Sequence, residues 1–165
     1  MNDLYAEAGV KRKDTAATMG LKALMILGVL AGLFFIFIGQ IFTFVGIGIL
    51  IAIFFLFPSL DIEYEYVFVD GQIDFDRITG KSRRKTILRI DFDQVEIMAP
   101  LNSPVLDSYN HMQLEKKDFS SLSKDSKPYV IIANVDNKKM KIMFEPSEKM
   151  LAMIKQKSPR KISNY

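Results

Sequence analysis

The chain has 165 residues, and its 22 Lys+Arg against 19 Asp+Glu leave a formal net charge of +3. That surplus is too small to argue for a nucleic-acid partner, and the absence of cysteine excludes disulfides, thiol nucleophiles and iron–sulfur ligation. The average composition, 49% hydrophobic and 25% charged, conceals a division, because Leu21–Phe57 carries Lys22 as its one formal charge.

Residues 1–20 form an N-terminal segment expected to be cytoplasmic. Two readings of it stand. Leu4, Tyr5, Ala8 and Val10 can rest on a membrane interface with Lys11–Lys13 at anionic headgroups. Otherwise the segment is a solvated terminus whose bases record orientation. Asp14 is placed to cap the helix that follows.

The apolar run is too long for one span. A straight helix over residues 21–57 would extend about 55 Å at about 1.5 Å per residue, against a hydrocarbon core about 30 Å thick. The break expected is Gly39-Gln40, which gives spans 21–38 and 41–57 with Pro58 stopping the second. A re-entrant hairpin and a cleaved signal peptide are the competing readings. The signal peptide fails on the length of the run and on the second span that follows at once. Basic residues Lys11, Arg12, Lys13 and Lys22 precede the first span, and Lys81, Arg83, Arg84 and Lys85 follow the second. Both termini of this multi-pass protein are therefore expected on the cytoplasmic side of the plasma membrane. Gly28/Gly32 and Gly48/Ala52 are small residues at helical spacing, suited to packing within the hairpin or to a homodimer. The spans hold no Asp, Glu, His or Arg, which argues against ion or proton transport.

From Asp61 the period changes to two. Ile62, Tyr64, Tyr66 and Phe68 alternate toward Asp70-Gly71, a two-residue hairpin signal. Pairing outward puts Phe68 opposite Ile73, Tyr66 opposite Phe75 and, at some cost, Glu65 opposite Asp76. A loop over 79–85, strands near 86–90 and 94–98, a polar segment with a short helix near 108–116, a hairpin around Asp136-Asn137 and a helix over SEKMLAMIKQK complete the order. The helix has Met150, Leu151 and Ile154 on its apolar face, with Met153 at the edge. The expectation is a membrane α-helical hairpin plus an α+β soluble domain over 61–158. That domain is a mainly antiparallel sheet or barrel of at least six strands under a C-terminal helix, and a basic tail follows at 159–165.

Several motifs invite chemistry. GKS in ITGKSRR suggests a phosphate loop, but that loop needs a glycine where Phe75 stands and a helix where TILRI follows. Asp74/Asp76, Asp91/Asp93 and Glu96 suggest a metal, but they lack a glycine-bearing cation loop. His111 stands without a nucleophile or triad context. No cofactor, metal or catalytic residue is assigned, and the chain is read as non-enzymatic.

Charge order is more informative. Asp61–Asp76 holds acids and no bases, whereas Arg77–Arg89 holds bases and no acids. The 71–77 strand returns the chain toward the bilayer, which places Lys81, Arg83, Arg84 and Lys85 near anionic headgroups or, alternatively, in a solvated turn.

The segments VKRK, YVFVDGQIDFDRI, GKSRRK, IDFDQVEIMAP, KDFSS and FEPSEKML resemble a family of small two-span bacterial membrane proteins of unassigned function. The soluble part looks like a bacterial pleckstrin-homology-type (PH-like) domain. The resemblance implies a sheet capped by the C-terminal helix and gives no activity, since fold alone does not. The expected role is a membrane-anchored interaction module whose partners are the bilayer and a protein or second copy. The alternative is a lipid- or envelope-stress-sensing regulator that contacts anionic lipid through residues 81–85.

Overall fold

The computed structural model describes residues 4–163. The chain divides into two compact units. One holds residues 13–62 with the 79–83 turn, and the other holds the remaining strands and everything from Arg84 onward.

The first unit is a helical hairpin of α1 (Ala16–Ile38) and α2 (Ile41–Leu56), followed by a 3₁₀ turn, Phe57–Leu60. Both helices are long and apolar enough to cross a membrane, α2 together with its 3₁₀ extension, and only 6% of each apolar window is buried. Thr15, not Asp14, caps α1 by accepting from the Thr18 amide at 3.2 Å. Asp14 instead takes the Lys22 ammonium at 2.8 Å, and Lys22 reaches Asp61 at 3.1 Å. The helices reverse at Gly39 (φ 80°) and Gln40 (φ 53°), where the sequence placed the break.

The helix contact departs from expectation. Gly32 and Gly46 are the buried residues of α1 and α2. A Cβ on Gly32 would stand 3.2 Å from the Gly46 carbonyl oxygen, and one on Gly46 would overlap the Gly32 carbonyl. Gly28 faces Ile53, with 2.9 Å between an added Cβ and Cδ1. Gly48 has nothing within 4 Å of an added Cβ, and Ala52 is exposed, so these two do not pack the hairpin. The crossing runs through Gly46 because two backbones approach most closely where neither carries a side chain.

The second unit is built on two four-stranded sheets, ordered β1-β2-β3-β4 and β5-β7-β8-β6, and no barrel closes. The strands are β1 (Tyr5–Lys11), β2 (Ile62–Val69), β3 (Gln72–Thr79), β4 (Arg83–Asp91), β5 (Val95–Pro100), β6 (Glu115–Asp118), β7 (Tyr129–Val135) and β8 (Lys138–Phe144). The N-terminal segment is a strand: Tyr5–Lys11 pairs antiparallel with β2, Ala6 across from Phe68 and Lys11 across from Glu63. Its weak alternation hid it, and the pairing partner supplies what propensity lacks. Likewise Glu115–Asp118 is a strand parallel to β8 rather than part of a helix, and the turn of 3₁₀ helix lies earlier, at Pro104–Tyr109. Strand β4 starts at Arg83, so Arg83, Arg84 and Lys85 belong to a strand and not to the loop expected over 79–85.

Both hairpin turns have the backbone their sequences demand, with Asp70 (φ 44°) and Gly71 (φ 103°), then Asp136 (φ 50°) and Asn137 (φ 61°). Between the sheets lies an aromatic core. Phe75 stacks on Phe119 at 4.8 Å and meets Phe144 edge-on at 5.5 Å, while Tyr66 meets Phe144 at 5.4 Å. Tyr66, Phe75 and Phe144 are fully buried. Each such side chain stabilises the fold by about 1.5–3 kcal/mol relative to exposure. The Tyr66 hydroxyl donates to the Phe119 carbonyl, and burial pushes its pKa up. Helix α3 (Glu148–Lys157) is capped by Ser147 and buries Met150 and Ile154. The described part of the tail docks on β5: Ile162 bridges Met98, and the Ser163 amide donates to the Met98 carbonyl at 2.8 Å.

Candidate functional site

The basic stretch divides between the two units. The turn from Thr79 to Arg83 belongs with the helical hairpin. Gly80 and Lys81 both adopt φ 59°, a conformation that suits glycine and strains lysine. The Gly80 amide donates to the Asp61 carbonyl at 3.0 Å, and a Cβ on Gly80 would stand 3.2 Å from the Pro58 carbonyl oxygen. The turn therefore packs on the segment that leaves α2. Lys81 and Arg83 are exposed, and neither has an ion-pair partner among the described residues.

Beside this turn lies a notch of about 200 Å³ lined by Phe54, Phe55, Pro58, Ser59, Thr79, Gly80, Ser82 and Arg83. Its lining joins the apolar Phe54, Phe55 and Pro58 to the polar Ser59, Thr79, Ser82 and Arg83. Phe54 and Pro58 also line an apolar groove of about 370 Å³ with Val29, Leu50, Ile53 and Phe57. Lys22 is spent on Asp14 and Asp61, which leaves Arg83 as the cation of the notch.

In the β unit, Arg84 is committed elsewhere. Its Nε meets Asp76 at 2.6 Å and its terminal nitrogen meets Glu65 at 3.1 Å. Bonding to Asp76 raises its pKa further. One guanidinium thus offsets the like-charge Glu65/Asp76 juxtaposition that the hairpin sequence implied. Asp76 is 5% exposed, and its Oδ1 has no hydrogen-bond partner. Arg84 is therefore an internal tie, and Lys85, exposed on β4, is the third available base.

The carboxylates that suggested a metal are used individually. Asp74 takes Arg89 at 2.6 Å, which lowers its pKa. Asp91 caps a short turn by accepting from the Asp93 amide at 2.9 Å. Glu96 takes Lys139 at 2.8 Å and Asn134 at 2.9 Å, and the lysine is the main cause of its lowered pKa. His111 is exposed beyond the Pro104–Tyr109 turn. GKSR forms a strand–turn–strand, not the strand–loop–helix a phosphate loop requires.

Lys81, Arg83 and Lys85, singled out in the sequence, are exposed, whereas the notch was not foreseen. Its signal was present in Thr79-Gly80, because a glycine at a strand end often marks a close backbone approach. Which segment it approached was not legible.

A family model described as "Bacterial PH-like domain (DUF6106)" matches residues 2–164. No curated protein and no solved structure matches the chain.

Proposed function

The chain belongs to the bacterial PH-like domain family, and from that premise we propose a non-catalytic, membrane-anchored interaction module. The α1–α2 hairpin spans the plasma membrane with both termini cytoplasmic. Lys81, Arg83 and Lys85 contact anionic headgroups, and the PH-like domain meets a protein partner. Arg84, tied to Asp76 and Glu65, drops out of the lipid contact. Gly48 and Ala52, exposed on α2, are the surface available to a second copy or a partner helix.

The observation that carries this reading is the packing of the 79–83 turn on Pro58 and Asp61 at the end of α2. Each base near an anionic leaflet contributes about 1 kcal/mol. The reading is tested on the full chain in nanodiscs of phosphatidylcholine alone or with phosphatidylglycerol. Amide exchange over 79–85 is expected to slow in the anionic discs, and the triple variant Lys81→Gln, Arg83→Gln, Lys85→Gln to lose that difference. Equal exchange in both lipids would refute the headgroup contact.

A further inference from the structure

We infer that the helical unit seats one anionic glycerophospholipid, with its phosphate at the notch beside Arg83 and one acyl chain along the α1–α2 groove. This rests on the membrane-anchored reading above and adds to it a defined site and stoichiometry. Three observations converge, all within the helical unit.

The first is the continuity of two unlike surfaces. Phe54 and Pro58 are shared by the polar notch and the apolar groove, so the two recesses adjoin. A polar ligand would leave the groove unfilled, and a plain hydrocarbon would leave the Arg83 guanidinium without a counter-charge. A molecule with a charged head and an apolar tail satisfies both.

The second is charge. Arg83 is exposed and without an ion-pair partner among the described residues, Lys81 is its neighbour in the turn, and Lys22 is already neutralised by Asp14 and Asp61. An uncommitted guanidinium presents a fork of donors that matches phosphate oxygens, and with Lys81 beside it the site favours a head that carries no cation of its own.

The third is preorganisation. The rim is held by backbone constraints that do not involve a ligand. Gly80 and Lys81 fix the turn at positive φ, the Gly80 amide binds the Asp61 carbonyl, and the Ser59 hydroxyl donates to the Leu56 carbonyl at 2.6 Å. Less of the binding free energy is then lost to ordering the site.

The test uses the full chain released in mild detergent, with dioleoyl phosphatidylglycerol as the probe and native mass spectrometry as the readout. One retained molecule per chain is expected at low lipid excess, with phosphatidylcholine, which has the same phosphate but adds a trimethylammonium that Arg83 and Lys81 repel, retained roughly five-fold less. Val29→Trp, which fills the groove, and Arg83→Gln, which removes the cation, should each lower retention about as much. Phe54→Ala reports on the shared wall and should also lower it. Val45→Trp, the same substitution as at Val29 but at an exposed position outside the groove, should leave retention unchanged. Helicity measured by circular dichroism on each variant separates a lost site from a lost hairpin. Inorganic phosphate should not displace the lipid, and displacement would overturn the two-part seat in favour of a head-only site. A broad ladder of adducts, or retention indifferent to Val29→Trp while still sensitive to Arg83→Gln, would also overturn the seat. That second result would leave the electrostatic contact of the basic turn standing, so the two failures are distinguishable.

Discussion

The two units use similar apolar residues in opposite ways. In the hairpin, Gly32 and Gly46 are the buried residues, while Phe34, Phe37, Phe44 and Phe54 stand more than half exposed. In the β unit, Tyr66, Phe68, Phe75, Phe92 and Phe144 are buried to within 2%. A helix pair with its aromatics outward and its glycines inward fits lipid as solvent, where close backbone packing replaces the hydrophobic drive. A sheet pair with its aromatics inward is arranged for water. The contrast says which substitutions each half should tolerate.

The largest effect should come from the β core. Phe75→Ala removes a ring that touches Tyr66, Phe119 and Phe144, and should cost about 3–5 kcal/mol, read as a lowered denaturation midpoint of the near-ultraviolet aromatic signal. The exposed Phe44→Ala should leave that midpoint unchanged, and equal losses would break the contrast.

Next comes the glycine crossing. Gly46→Leu drives a side chain into the Gly32 carbonyl and Ile36, and should cost about 1–3 kcal/mol, the usual penalty of overpacking. Gly48→Leu should be close to neutral for hairpin stability, since nothing lies within 4 Å of its added Cβ. Steric-trap or force-unfolding measurements in bicelles distinguish the two.

Arg84→Met should follow, at about 1–3 kcal/mol for an acceptor left unsatisfied in a buried site. It strands Asp76, whose Oδ1 already lacks a partner. Adding Asp76→Asn should recover part of the loss, whereas strict additivity would remove the tie.

The smallest effect is with pH. Asp74 and Glu96 have lowered folded-state pKa values, because of Arg89 and Lys139 respectively. Their contribution is present above the unfolded values, near 4, and is lost as pH falls through the folded ones. The β unit should therefore weaken progressively below about pH 4. Arg89→Gln should flatten part of that slope in a urea titration.

Much of the fold was legible because period and punctuation agreed. Gly39-Gln40 marked the helical reversal, and Asp70-Gly71 and Asp136-Asn137 marked two hairpins whose φ values they satisfy. Met150 and Ile154 marked the buried face of α3. What escaped was set by partners distant in sequence. Strand β1 exists because β2 offers it a ladder, and β6, Glu-Lys-Lys-Asp, is a strand only beside β8. Gly46 lacked the four-residue spacing that drew attention to Gly48 and Ala52. At the candidate site the bases were legible, but Arg84's diversion to Asp76 required the folded register.

The central claim is a two-span anchor that places the 79–83 turn on the cytoplasmic face. The chain has no cysteine, so single substitutions give an unambiguous readout in cells. Gln40→Cys, at the reversal between helices, and Ser82→Cys, in the basic turn, are exposed to a membrane-impermeant thiol reagent before and after permeabilisation. The account predicts that Gln40→Cys reacts in intact cells whose outer surface the reagent reaches, and that Ser82→Cys reacts only after the membrane is opened. Reaction of both positions from the same side would contradict it.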